Sequence, residues 1–344
     1  MRENTISAPE FNTGKAGFDF ASGKSSRRDF IKNTVLTAGL LAAGMTSCSR
    51  SPAPVQTPAS EKIQTTGAIR EKLFEQRPLG KTGINVCSLS AGQCAQPDLL
   101  VEAYNAGITS FETARGYMGG NLERIIGKAL KSIPRDKVVI ITKIECSSQN
   151  RLTMIRKTEE CLNALGIDTI DVLLAHGVHA TSLLSSEVVM QTFTELKKSG
   201  KIRFCGVSTH QTKEIGEWML QNPFYDVLMT AFNYSFPAEA SDLLRQLRQK
   251  GTGIIGMKSL TFKFDDHKAT IPSALKFALS RDFMDTVAVP FSNAENFDAN
   301  METVKQKFSQ DDEKILAANS KGILQEYYFN PDSQPGRPVQ PSSL

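Results

Sequence analysis

Eight short apolar runs, each followed by a segment of helical period, set the strongest limit on what this chain can become. The runs read as strands near Val86–Ala91, Ser110–Glu112, Val138–Lys143, Val172–His176, Phe204–Ser208, Val227–Asn233, Gly253–Lys258 and Thr286–Pro290. None alternates strictly between apolar and polar residues, which is the pattern of strands covered on both faces. Between them, apolar residues recur three and four apart. Met154, Cys161 and Leu165 run up to Gly166, Val189, Phe193 and Leu196 to Gly200, and Leu243, Leu244 and Leu247 to Gly251. Eight β/α units in about 260 residues is the size of an α/β protein of the (β/α)8 TIM barrel type. A doubly wound open sheet competes with it. No Gly-rich phosphate fingerprint follows a strand, which counts against the open sheet. Leu79–Gly83 reads as the turn of an N-terminal β-hairpin, and Asn293–Lys307 and Asp312–Tyr328 read as C-terminal helices.

Charge and cysteine content narrow the function classes. The formal net charge of +4 is small for 344 residues, and half of it belongs to residues 1–47. What remains is too weak for an electrostatic nucleic-acid footprint. Six cysteines without a C-x-x-C pair argue against a zinc ribbon or an iron–sulfur site, and no metal is expected. Cys87, Cys161 and Cys205 read as small core residues, and Trp218 reads as core on the stripe it shares with Ile215. Cys94 and Cys146 follow strands one and three, near enough for a disulfide in an oxidising compartment, although two unpaired thiols is the plainer reading.

The chemistry concentrates after the second strand. Glu112 ends the run Ala106–Phe111, Tyr117 sits five residues on among glycines, and Leu122–Leu130 has helical spacing. An acid and a phenol on a strand-to-helix loop lie at the barrel end where active sites form. Strand three ends in Lys143 and strand four in His176. A lone histidine, lysine or tyrosine in these settings is more often structural than chemical.

In this order, the acid–tyrosine loop, the lysine strand, the histidine strand and Gly200–Ser208 (GKIRFCGVS) resemble the aldo-keto reductase family over about residues 73–329. The family has Asp where this chain has Glu112. The resemblance implies a barrel plugged at its amino end by the hairpin, and reduction of an aldehyde or ketone by NAD(P)H. Tyr117 is then the proton donor. Lys143 lowers the phenol's pKa from about 10, Glu112 holds Lys143, and His176 polarises the carbonyl. The longer Glu112 side chain is expected to shift the ammonium by about an ångström and cost rate. The resemblance also implies a cofactor site of Ser208, Thr209, Met257, Lys258, Ser292, Asn293, Asn296 and Asn300. Met229 replaces the usual Gln, and Asn296 the Arg that would hold a 2′-phosphate. Asp265 and Asp266 weaken the field around Lys258. The cofactor is NADP or NAD, with the balance towards NADP. A C-terminal loop that shapes the pocket in this family reads as short here, leaving the pocket open.

Ahead of the barrel, Ser26–Lys32 (SRRDFIK) fits a twin-arginine export signal, followed by a mildly apolar run from Thr34 to Gly44 too short to span a bilayer. Met45–Cys48 resembles a lipobox. The expected division is a signal over 1–48, a tether over 49–71 rich in Pro, Ser and Thr, the barrel over 72–329 and a loose tail over 330–344. The expected partners are a small carbonyl substrate and the twin-arginine translocation machinery, with a membrane involved only through a lipid at Cys48. The product is then periplasmic or lipid-anchored. Export away from nucleotide pools, with Glu112, Met229 and Asn296, motivates an alternative: a ligand-binding protein on the same barrel with little turnover. A hydrolase has only fold analogy behind it.

Overall fold

The computed structural model describes residues 74–260 and 270–319. The export signal, Cys48, the tether, Asp265–Asp266, the end of the last helix, the C-terminal loop and the tail lie outside the described residues.

Eight parallel strands close into one barrel: β3 (Leu89–Gly92), β4 (Ser110–Glu112), β5 (Val139–Ile144), β6 (Ile170–Ala175), β7 (Ile202–Thr209), β8 (Val227–Ala231), β9 (Gly253–Met257) and β10 (Thr286–Pro290), which returns to β3. Before them, β1 (Gln76–Pro78) and β2 (Asn85–Cys87) pair antiparallel as the expected hairpin. The run Val86–Ala91 is thus not one strand but two, broken at Ser88 where the chain leaves the hairpin and joins the barrel. Around the barrel lie α1 (Pro97–Ala106), α2 (Asn121–Ala129), α3 (Arg151–Leu165), α4 (Thr181–Leu184), α5 (Glu187–Lys198), α6 (Thr212–Gln221), α7 (Ala238–Gln249), α8 (Ile271–Leu279), α9 (Ala294–Val304) and α10 (Gln310–Asn319). Ala106 and Gly107 end α1 and do not begin a strand; Gly107 closes the helix at φ 105°. The helix at 154–165 keeps its expected end at Gly166, at φ 67°, and Asn150 caps its start by accepting from the Thr153 amide at 2.9 Å.

Strand residues divide by parity into two cores. Val139, Ile141, Val172, Leu174, Val227, Met229, Ile255 and Met257 face the barrel interior, where Leu79, Ile84 and Val86 of the hairpin join them. The intervening residues, such as Ile140, Leu173, Cys205, Leu228 and Ile254, pack outward against the helices. Both faces are buried, which is why the sequence shows apolar runs without alternation. Trp218 is only half-buried, packed on the outer layer.

The hairpin closes the amino end. Lys81 N–H donates to the Gly251 carbonyl at 2.9 Å, and Gly80 N–H to Asp285 Oδ2 at 3.0 Å. A side chain at Gly80 would meet Gly253 N at 2.3 Å, so only glycine fits this approach. Asp285 also accepts from the Ile254 amide at 2.9 Å and from Arg248 at 2.5 Å. The device recurs: Asp171 takes the Ile140 amide and Asp226 the Cys205 amide, each beside a basic side chain. Three buried or half-buried carboxylates thereby staple neighbouring strands at the end away from the site.

Candidate active site

Inward parity brings the predicted residues together at the carboxyl ends of the strands. Lys143 continues the inward series Val139, Ile141 on β5 and is completely buried. Its Nζ donates to Glu112 at the end of β4, to the Thr113 carbonyl at 2.9 Å and to the Tyr117 hydroxyl at 3.2 Å. Burial draws the Lys143 ammonium well below its usual range. The longer Glu112 side chain is accommodated because Gly92 stands opposite: a Cβ there would lie 3.0 Å from Glu112 Oε2.

Tyr117 is held on a tight loop. Arg115 N–H donates to the Lys143 carbonyl at 2.9 Å, and Tyr117 N–H to that of Ala114 at 3.0 Å. Met118, Gly119 and Gly120 then run through φ of 48°, 61° and 83° into α2. For Met118 the left-handed backbone costs about 1 kcal/mol. The expectation that Lys143 lowers the Tyr117 pKa is not met. Desolvation by burial raises it, with only a partial offset from the Gln93 side chain. His176 lies just past the end of β6, its amide on the Ile144 carbonyl. Its ring meets the Tyr117 ring edge-on at 5.6 Å. Burial, helped by the Lys143 charge, pushes its pKa down to about 4, so the ring is neutral at pH 7.

These groups open on a cavity of about 300 Å³. Ser208, Met229, Met257 and Lys258 line it, with Ala288 and Pro290 on the β10 side. Gln93, His179 and His210, polar residues not anticipated from the sequence, also line it. Burial, with Lys258 and His179 adding, pushes the His210 pKa down to about 4. Lys258 sits just past β9 at φ 57° and is exposed.

Thr209 is a correction. It has outward parity, its hydroxyl donates to the Val178 carbonyl at 2.7 Å and accepts from the Gln211 amide at 2.9 Å. It does not line the cavity. Nor do Ser292, Asn293, Asn296 and Asn300, which follow β10 on the start of α9. Asn293 spends its side-chain oxygen on the Asn296 amide at 2.8 Å, Ser292 and Asn296 are exposed, and Asn300 is buried. The residues that would hold a nucleotide are Ser208, Met229, Met257 and Lys258 in the cavity wall and, beyond Pro290, those at this helix start. The residues present fit that group, with fewer polar contacts than expected. Cys94 and Cys146 are separate buried free thiols, and Cys87, Cys161 and Cys205 are buried in the core.

The barrel with this constellation at its mouth defines the class, and the chain belongs to the aldo/keto reductase family, whose profile matches residues 95–270. The chain is 28% identical over 201 residues to an NADH-specific methylglyoxal reductase of Escherichia coli (strain K12), across 50% of this chain and 61% of that one. It is 29% identical over 212 residues to an L-galactose dehydrogenase of Arabidopsis thaliana, across 54% and 66%. The chain therefore spans less than two thirds of the length of these relatives. Among solved structures, the holo form of an aldo-keto reductase from Bacillus halodurans superposes with a TM-score of 0.61 at 19% identity, over 73% of this chain and 97% of that one.

Proposed function

We propose that this protein reduces small, oxygen-rich aldehydes or ketones at the expense of NADPH or NADH, with Tyr117 as proton donor. The observation that carries this is the contact of one buried ammonium, Lys143, with both Glu112 and the Tyr117 hydroxyl, which line one cavity together with His176. The nicotinamide, when bound, supplies the hydride. Tyr117 carries its proton at neutral pH, as any phenol with an ordinary value of about 10 does and as burial reinforces, and the Lys143 N–H aimed at its oxygen orients the hydroxyl. Neutral His176 offers an N–H to a carbonyl oxygen in the same cavity. Glu112 keeps the ammonium in place. Ser208, Met257 and Lys258 would hold the nucleotide along the β7–β9 side, and Asn293, Asn296 and Asn300 its far end.

A cavity of about 300 Å³ with three imidazoles, a glutamine and a serine in its wall suits a short polar substrate. The relatives named for methylglyoxal and L-galactose support that class. Fluorescence titration with NADPH and NADH, followed by nucleotide oxidation against a panel of dicarbonyls, hydroxyaldehydes and aromatic aldehydes, tests the reading. Turnover with the polar members, lost by about 10²–10⁴-fold in Tyr117→Phe with nucleotide binding intact, is expected. No nucleotide binding would refute it.

The sequence Ser26–Lys32 and Met45–Cys48 supports export by the twin-arginine route and lipidation at Cys48. Cell fractionation of the full chain beside Arg27→Lys/Arg28→Lys and Cys48→Ala variants tests each step. Retention of neither variant would sink this part.

A further inference from the structure

A second pair of charges lies behind the site and takes no part in the chemistry above. Glu123, in the first turn of α2, is completely buried. Its Oε1 accepts from Thr142 Oγ1 at 2.8 Å, and its Oε2 from Arg115 Nη1 at 2.5 Å. Thr142 immediately precedes Lys143 on β5. Arg115 precedes Tyr117 by two residues, and its own N–H is tied to the Lys143 carbonyl at 2.9 Å. The guanidinium fills the space that a side chain at Gly120 would need: a Cβ there would stand 2.2 Å from Nη2. The left-handed run Met118–Gly120 therefore folds over Arg115, while Met118 itself points to solvent and anchors nothing.

We propose that Arg115, Glu123 and Thr142 form a positioning clamp that sets the 3.2 Å contact between the Tyr117 hydroxyl and Lys143. Its role in turnover rests on the reductase reading. Glu123 grips both halves of the donor pair, the strand through Thr142 and the loop through Arg115. A buried ion pair is a poor device for stability alone, since apolar side chains of the same volume often do as well. What it supplies is direction. Two short bonds to the two oxygens of one carboxylate fix a loop relative to a strand as packing by flexible side chains does not. A displacement of about an ångström between donor and ammonium lowers rate on the order of a hundredfold.

The test compares Thr142→Val with Thr142→Ser, and adds the double variant Arg115→Met/Glu123→Leu, which removes both charges together. Thr142→Val is expected to lower kcat about tenfold with KM and nucleotide affinity within about twofold, and Thr142→Ser to restore it. The double variant should lose about a hundredfold in kcat. A readout independent of turnover is the ring ¹³C titration of Tyr117, assigned by its loss in Tyr117→Phe. It should move down towards 10 when the clamp is cut and the loop takes up water. If the double variant does not fold, the Thr142 pair decides. Wild-type kcat and an unmoved Tyr117 titration in Thr142→Val would overturn the clamp, whatever its unfolding temperature. Should the wild-type protein turn over no carbonyl while the Tyr117 titration still shifts in the variants, the clamp stands and the reductase reading falls.

Discussion

His176 and His210 make this barrel acid-sensitive in a way that can be measured without any substrate. Both have folded pKa values of about 4 against an ordinary 6.5. The folded state thus binds fewer protons than the unfolded chain between those limits. Stability is complete above pH 6.5 and is lost as pH falls through the window. Integrating the linkage gives a loss of about 1 kcal/mol per histidine at pH 6 and about 2 kcal/mol at pH 5, both relative to pH 8. The pair together removes about 4 kcal/mol at pH 5, a large share of a domain's total of about 5–15 kcal/mol. Urea unfolding of the nucleotide-free protein at pH 8 and pH 5 is the assay, with His210→Gln and His176→Gln/His210→Gln beside wild type. The single variant should recover about 2 kcal/mol of the acid loss and the double about 4 kcal/mol, with m-values unchanged. Asp285, whose carboxyl burial raises, contributes with the opposite sign, but equally in all three proteins. Asp312, held far below the usual carboxylate range by Lys276 and two serines against the raising effect of burial, titrates below the window. An identical pH dependence in wild type and double variant would refute the reasoning.

Three further outcomes follow from particular contacts. Gly206→Ala places a methyl 2.3 Å from the Val227 carbonyl oxygen and 2.6 Å from Leu174, between two paired strands, and should cost at least about 3 kcal/mol in urea unfolding. Gly92→Ala presses on Glu112 Oε2 at 3.0 Å and should lower kcat about tenfold with nucleotide affinity unchanged, measured by steady-state kinetics and fluorescence titration. Met229→Gln puts an amide on the cavity floor and should tighten nucleotide binding several-fold, about 1 kcal/mol for one added hydrogen bond, in the same titration.

Parity made most of the site legible. Once β5 is read from Val139, the series 139, 141, 143 turns Lys143 inward, and the same count turns in Glu112, His176 and Ser208. It also turns Thr209 out, which matching a motif position by position does not reveal. Carried one step past the strand, the count reaches His210, so that residue was within reach of the sequence. His179 and Gln93 were not, because they sit on irregular loops, Gln93 at φ 44°. The division of Val86–Ala91 into two strands was hidden for another reason. Both pieces are buried, and a change of partner at Ser88 leaves no mark in hydrophobicity. The direction of the Tyr117 pKa required knowing how far the folded loop buries the phenol, which the residue pattern does not show.

The hairpin stitched across the amino end has a kinetic meaning. A barrel stoppered at its amino end and filled by its own side chains offers its carboxyl-end mouth alone, so whatever reaches Ser208 and Met257 arrives and leaves from that side. Cutting the stitch at Asp285 would loosen the wall without opening a second exit, since Leu79, Ile84 and Val86 still fill the far end.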